Sequence, residues 1–330
     1  MKTSTKLDYY YIVLGQPYDF HRYAYNDLET SDYGRYYYEP INKKGRLINA
    51  FFRIHTSEKI NSKIKLPFKR FWFKRMTYFK NENKKICFIF YFGTKWFNAI
   101  KYGYLKYLKK RFPNCRLVCY YADLVSTHEK EYPIEKVKKQ FDYVLSFDLN
   151  DCLKYGLFHY PLIYSSNNSI TINRQENDVF FVGLAKNRLN EIINAFIELT
   201  KAGLKCDFHI VGAKKDQQLF PEKIIYGEPM TYEENIKHIQ KAKAVLEIMQ
   251  KEGQGFTLRT CEAIAFGKVL ITNNKNILAA PFYSPKRVVV LGDKNVDYSI
   301  IKNAPSFIDY DYIENLTPHK MFEFIEGLTK

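Results

Sequence analysis

The residues best suited to chemistry lie between Gln250 and Asn274, where a polar loop with glycines at 253 and 255 opens directly into an apolar-periodic helix. Gly267 stops that helix, and Val269–Thr272 has the composition of a short buried strand. Such a loop-to-helix junction presents unpaired backbone N–H groups and the positive end of a helix dipole, which suits a phosphate. Thr257 stands at the turn, where its hydroxyl can cap the helix or reach a ligand oxygen. Glu262, further along the helix, offers a carboxylate that can accept hydrogen bonds from sugar hydroxyls. Gly-x-Gly before a helix is also a common α/β connection, so its weight depends on the strands that lead to it.

A second set of candidates lies near the N-terminus. Asp19, His21 and Arg22 follow an apolar strand expected at Tyr9–Leu14. Open α/β sheets place their ligands just past the carboxyl ends of strands, and an imidazole near neutrality can act as a base. The same residues would equally hold a surface loop together. Asp123, after an expected strand at Arg116–Tyr121, reads either as a catalytic carboxylate or as a turn cap.

The positioning elements follow from alternation. In the first half, strands are expected at 9–14, 86–92, 116–121 and 143–147, with helices at 95–111, 134–140 and from Asp148 to Gly156. In the second half, strands are expected at 179–182, 208–211, 223–226, 244–248, 269–272 and 288–291. Helices fall at 187–202, at 231–241 behind a Thr231/Glu234 capping box, and at 318–328. This order predicts an α/β fold with parallel sheets covered by helices on both faces. Gly183, Gly212 and Gly227 close three of the strands, letting the backbone turn tightly and approach a ligand. A polar stretch at 166–177 reads as a linker between domains at 1–165 and 178–311.

Composition narrows the partners. The chain of 330 residues carries a formal net charge of +16, and 17% of it is aromatic, so a polyanionic partner is favoured. The surplus concentrates in the segment 43–85, whose only acids are Glu58 and Glu82. There Ile60, Ile64, Phe68, Phe71, Trp72, Met76 and Phe79 interleave with lysine and arginine at helix-like spacing. Such a segment suits an anionic membrane surface, a nucleic-acid groove, or a solvated basic face over ordinary core aromatics. No apolar run approaches the roughly 20 residues of a membrane span, and no secretory signal is expected. Of the six cysteines only Cys115 and Cys119 are close, with no second Cys or His pair to complete a zinc site, so reduced thiols are expected.

The second half resembles the nucleotide-sugar-binding domain of the GT-B glycosyltransferases, two-Rossmann-domain enzymes of polysaccharide and lipopolysaccharide biosynthesis. The resemblance rests on Gln254-Gly255-Phe256-Thr257-Leu258, then Arg259-Thr260-Cys261, Glu262-Ala263, and Gly267-Lys268 ahead of Ile271. Upstream, Phe180 to Gly183 with Lys186 and Arg188 is similar to the family's strand–glycine loop. The likeness covers about 177–275, while the first half matches in architecture alone. It implies two Rossmann-like domains facing each other across a cleft, with a C-terminal helix at 312–330 crossing back toward the first. It also implies glycosyl transfer from a nucleotide sugar to a glycan or lipid-linked acceptor, without an essential metal.

By the same resemblance Glu262 would hold the ribose, Lys186 and Arg188 would neutralise the diphosphate, and the amides of Gly255, Phe256 and Thr257 would meet the phosphates. Tyr226 and Gly227 would line the base pocket, with Gly183, Gly212, Gln254, Leu258 and Arg259 completing the donor site. Asp19, His21 and Asp123 are the candidate bases. Two positions depart from the family: Gln254 stands where a glutamate is usual, leaving retention or inversion open, and Thr257 replaces glycine. Asp309 and Asp311 form an Asp-x-Asp read as structural. The resemblance places the protein in the cytoplasm, peripheral at the inner face of an anionic membrane, with no nucleic-acid partner. A basic nucleic-acid-binding protein, or a GT-B protein that binds nucleotide sugar without turning it over, are the competing readings.

Overall fold

Each half of the chain builds one six-stranded, all-parallel sheet. The computed structural model describes residues 7–41, 45–64, 66–79, 85–130, 132–166, 175–250, 255–293 and 296–328. It divides into two units: Met1–Tyr160 with Pro318–Lys330, and Pro161–Thr317. Most of the expected linker at 166–177 lies outside the described residues.

In the first unit β1 (Tyr9–Leu14), β2 (Gly34–Tyr37), β3 (Lys85–Tyr91), β4 (Arg116–Tyr121), β5 (Tyr143–Ser146) and β6 (Phe158–His159) lie in the order β2-β1-β3-β4-β5-β6. β3 and β4 are buried over nearly their whole length, as parallel strands covered on both faces must be. The chain order reverses between β1 and β3, which opens a crevice at their carboxyl ends. β2 and β6 escape a reading by hydrophobic period because they are short edge strands of four and two residues. The helix expected at 95–111 is two helices, Lys95–Ile100 and Tyr104–Arg111. Gly103 between them takes φ +94°, a left-handed conformation that glycine adopts without penalty.

The basic segment forms three short helices, Arg46–Thr56, Glu58–Lys63 and Phe71–Met76. The final helix, Pro318–Gly327, belongs to this unit as well. Phe322 stacks on Tyr11 with ring centroids 4.0 Å apart. Glu326 accepts the amides of Asp8 at 2.7 Å and Tyr9 at 3.0 Å, tying the helix to the start of β1.

In the second unit β7 (Asn177–Leu184), β8 (Cys206–Val211), β9 (Ile224–Gly227), β10 (Ala242–Glu247), β11 (Val269–Thr272) and β12 (Val288–Val290) take the order β12-β11-β10-β7-β8-β9. This is the doubly wound Rossmann order, and its reversal lies between β7 and β10. The expected capping box is present: Thr231 Oγ1 accepts the Glu234 amide at 3.2 Å, and the Glu234 carboxylate accepts the Thr231 amide at 2.8 Å.

Candidate functional site

The second unit's switch point gathers six of the thirteen expected donor-site residues: Gly183, Lys186, Arg188, Thr257, Arg259 and Glu262. β10 ends on Glu247, which is buried, and its carboxylate organises the junction beyond it. Oε1 accepts the hydroxyls of Thr257 at 2.5 Å and Thr260 at 2.8 Å, together with the Thr257 amide at 3.3 Å. Oε2 accepts the Thr272 hydroxyl at 2.6 Å from the end of β11. Thr257 also caps the helix Leu258–Ala265 by accepting the Arg259 amide at 3.1 Å. The protein's own carboxylate therefore takes up the Thr257 amide that sequence reasoning offered to a phosphate. Glu247 was missed because a lone glutamate at the end of an apolar strand carries no spacing signal; three threonines at 257, 260 and 272 are its only trace.

Two arginines border this junction. Arg188 follows β7 across the reversal, donating through Nη1 to the Ile248 carbonyl just past β10 and through Nε to the Leu184 carbonyl at 3.2 Å. Burial, then the neighbouring Arg259 guanidinium, lower its pKa from the usual arginine value, while Glu247 opposes them. Gly183 makes room for it: a β-carbon there would stand 3.1 Å from Arg188 Nη2 and 3.0 Å from the Phe181 ring. Lys186, in the same turn, is exposed and takes φ +41°, an uncommon backbone for a lysine.

Arg259 makes the second connection. Its Nη1 pairs with Glu262 Oε2 and donates to Asn235 Oδ1 at 2.8 Å. Asn235 Nδ2 in turn donates to Glu262 Oε1 at 3.0 Å, and Tyr232 and Tyr164 share a hydroxyl bond of 2.9 Å beside them. Glu262 is 0% exposed, and burial raises its carboxyl pKa against the pull of Arg259, Tyr232 and Asn235. A ribose would reach it only after this network opened.

The remaining donor-site candidates are spread along the strand ends. Gly212, at φ +78°, and Gly227 face open space. Tyr226 turns its hydroxyl onto Leu219, donating to the carbonyl at 2.7 Å and accepting the amide at 3.1 Å. Gly255 is buried beside Asn274, whose Nδ2 donates to its carbonyl at 3.5 Å. Phe256 packs on Phe282 with centroids 5.1 Å apart, and Leu258 is half-buried. Gln254 lies outside the described residues. Asp309 and Asp311 share a turn in which Asp309 Oδ1 accepts the Asp311 amide at 2.8 Å.

The first unit does not bring its three candidate bases together. His21 is 5% exposed, with Nδ1 against the Tyr36 hydroxyl and 3.2 Å from the Gln16 carbonyl. Burial lowers its pKa to about 4, so at neutral pH it is an uncharged, weak base. It borders a polar cavity of about 200 Å³ with Arg22, Glu29, Arg35, Tyr36 and Tyr38. Asp19, two residues earlier, opens the helix Asp19–Ala24 and is exposed. Asp123 is exposed past β4, two strands over from β1, and accepts the Leu124 amide at 2.9 Å.

The basic segment separates its residues in a way periodicity did not resolve. Trp72, Met76 and Phe79 are core, whereas Leu47 at 86%, Phe68 at 84% and Ile64 at 66% are exposed, with Phe51, Ile54 and Phe71 about half so. Phe51, Phe68, Phe71 and Tyr102 surround an apolar depression of about 800 Å³. Arg70, Lys74 and Arg75 are exposed nearby, and the Arg75 guanidinium lies 4.1 Å over the Phe71 ring. Lys69 lines the depression but adds no exposed charge to this face: it is 8% exposed and donates to the His55 carbonyl.

Residues 188–300 match the family model described as Glycosyl transferase-like. The sucrose-phosphate synthase of Thermosynechococcus elongatus aligns over 96% of this chain and 97% of its own, with 10% identity and a TM-score of 0.52. The fold is GT-B. The crystal structure of TarM aligns over 73% of this chain at 13% identity and a TM-score of 0.50, and the chain spans 54% of TarM's length. None of the curated proteins matches. At these identities the structural likeness is one of fold, while the family match, which starts at Arg188 and spans the Glu247–Glu262 region, supports a glycosyltransferase enzyme.

Proposed function

We propose that this GT-B protein transfers a sugar from a nucleotide-sugar donor to a glycan acceptor, lipid-linked acceptors of cell-surface polysaccharide or lipopolysaccharide assembly being the class its first unit suits. The observation that carries this reading is the pair of guanidiniums at the second unit's switch point, Arg188 and Arg259, within the matched domain. Arg188 at the crevice edge favours a departing nucleotide diphosphate, Lys186 adds a second cation at the same turn, and Arg259 contributes once its pairing with Glu262 opens. In the transfer, the bond from the anomeric carbon to the diphosphate oxygen breaks and one to the acceptor oxygen forms. The acceptor proton passes to a base, for which the exposed carboxylates Asp19 and Asp123 are better suited than the buried His21.

The exposed apolar residues at 47, 51, 54, 64, 68 and 71, set beside Arg70, Lys74 and Arg75, support docking on an anionic membrane where a lipid-linked acceptor resides. Nucleotide sugars are made in the cytoplasm, so this reading places the protein at the inner membrane face.

Thermal-shift measurements against UDP-, GDP-, CMP- and dTDP-sugars test the proposal. At least one donor should raise Tm and release its nucleotide when an acceptor lipid is supplied. Stabilisation by none of them would discard the donor site, and binding without nucleotide release would leave a sugar-nucleotide receptor in place of an enzyme.

A further inference from the structure

Away from the strand ends, one side-chain cluster has no part in the proposed transfer. Asp207 and His209, two apart on β8, share the sheet face covered by the helix Tyr232–Lys241, which supplies His238. Asp207 Oδ1 lies 2.9 Å from His209 Nε2, and Oδ2 lies 2.7 Å from His238 Nδ1. The three ligand atoms all fall within 4.8 Å of one another, the only such grouping among the described residues.

We propose that Asp207, His209 and His238 form a binding site for a divalent transition-metal ion of the zinc type. Two imidazoles and one carboxylate are the donor set of three-ligand zinc sites, which keep a fourth position for water. The set is too nitrogen-rich for magnesium or calcium. Tetrahedral zinc with bonds of about 2.0–2.1 Å needs its ligand atoms about 3.3 Å apart, so the widest pair closes by roughly 1.5 Å. Side-chain torsions supply that movement as the cation replaces the two carboxylate–imidazole hydrogen bonds.

The surroundings hold the ligands in place. The buried Phe180 ring stacks on His238 at 5.2 Å and 16°, and meets His209 edge-on at 6.1 Å and 65°. Asn177 Nδ2 reaches Asp207 Oδ2 at 3.4 Å from β7. Such outer partners fix ring and carboxylate orientation in metal sites. The cluster also has access to solvent, with side-chain exposures of 15% at His209, 14% at Asp207 and 34% at His238. Cys206 and Phe208 alternate to the other face of β8 and do not contribute.

Tag-free protein stripped with a chelator tests this by calorimetric titration with Zn²⁺ and by the visible absorption of added Co²⁺. One ion per chain should bind, with the intense band of four-coordinate cobalt and a rise in Tm. His238→Gln, on the helix surface, should weaken zinc binding at least tenfold while leaving circular dichroism unchanged, and His209→Gln should do the same. Absence of binding by the wild type, or zinc affinity unchanged in the double variant, would overturn the site.

Discussion

The Thr257 hydroxyl donates to Glu247 Oε1 at 2.5 Å, coupling the end of β10 to the first turn of the helix Leu258–Ala265. One buried carboxylate thus fixes the entry to the helix that carries Arg259 and Glu262. Thr257→Val removes both this bond and the helix cap, and should cost about 1–2 kcal/mol in urea unfolding. Glu247→Ala strands three hydroxyls and should cost more, about 3 kcal/mol.

Lys186 separates binding from stability. Its left-handed backbone costs a lysine about 1 kcal/mol, so Lys186→Gly relieves strain while adding chain entropy to the unfolded state, and the two nearly cancel. Tm should stay within a few degrees while donor affinity falls about tenfold, the loss of one phosphate-directed cation. An unchanged donor Kd would remove Lys186 from the site.

Arg259 and Glu262 are predicted to act as a unit. Arg259→Met leaves a fully buried carboxylate without its counter-charge and should destabilise by about 3 kcal/mol, whereas Arg259→Met with Glu262→Met should recover most of that. A double-mutant cycle by chemical denaturation measures the coupling. If Glu262→Ala binds donor as tightly as wild type, the ribose role falls.

Strand–helix alternation carried most of the fold because parallel strands buried on both faces read as continuous apolar runs, as at Ile86 to Tyr91. Edge strands lack that signature, so Gly34–Tyr37 and Phe158–His159 went unread. Spacing located the helix with Arg259 and Glu262, yet it could not reveal that these two side chains bind each other. It likewise could not show which aromatics of the basic segment face inward: Trp72 and Phe68 differ in type by little and in exposure almost completely. The Glu247 network escaped for a deeper reason, since hydroxyls from three separate elements meet only in the folded chain.

His21 makes the first unit acid-sensitive. Its folded pKa of about 4 lies below the ordinary value of about 6.5, so as pH falls the unfolded chain takes up this proton first. Its contribution is intact above about pH 6.5 and drains away between there and about pH 4, up to about 3 kcal/mol. Urea midpoints should fall less steeply over that range in His21→Gln than in wild type. Parallel pH profiles for the two would contradict it.

Membrane docking is open to a direct test. Arg70→Gln, Lys74→Gln and Arg75→Gln together remove three exposed charges, each worth about 1 kcal/mol near an anionic surface, so vesicle binding should drop roughly a hundredfold. Sedimentation with phosphatidylserine-containing vesicles, at low and high salt, measures it. Equal binding to neutral vesicles would discard the reading.

The helix Pro318–Gly327 has a consequence for synthesis. Because it packs on β1 through Phe322 and Glu326, the unit begun first on the ribosome is finished last. Domains ordinarily fold in the order they emerge. Here the Tyr11 ring and the amides of Asp8 and Tyr9 wait, uncovered, until the whole of the second unit has been translated. A nascent chain stalled before Pro318 should therefore expose that face to chaperones and proteases while its second unit is already complete.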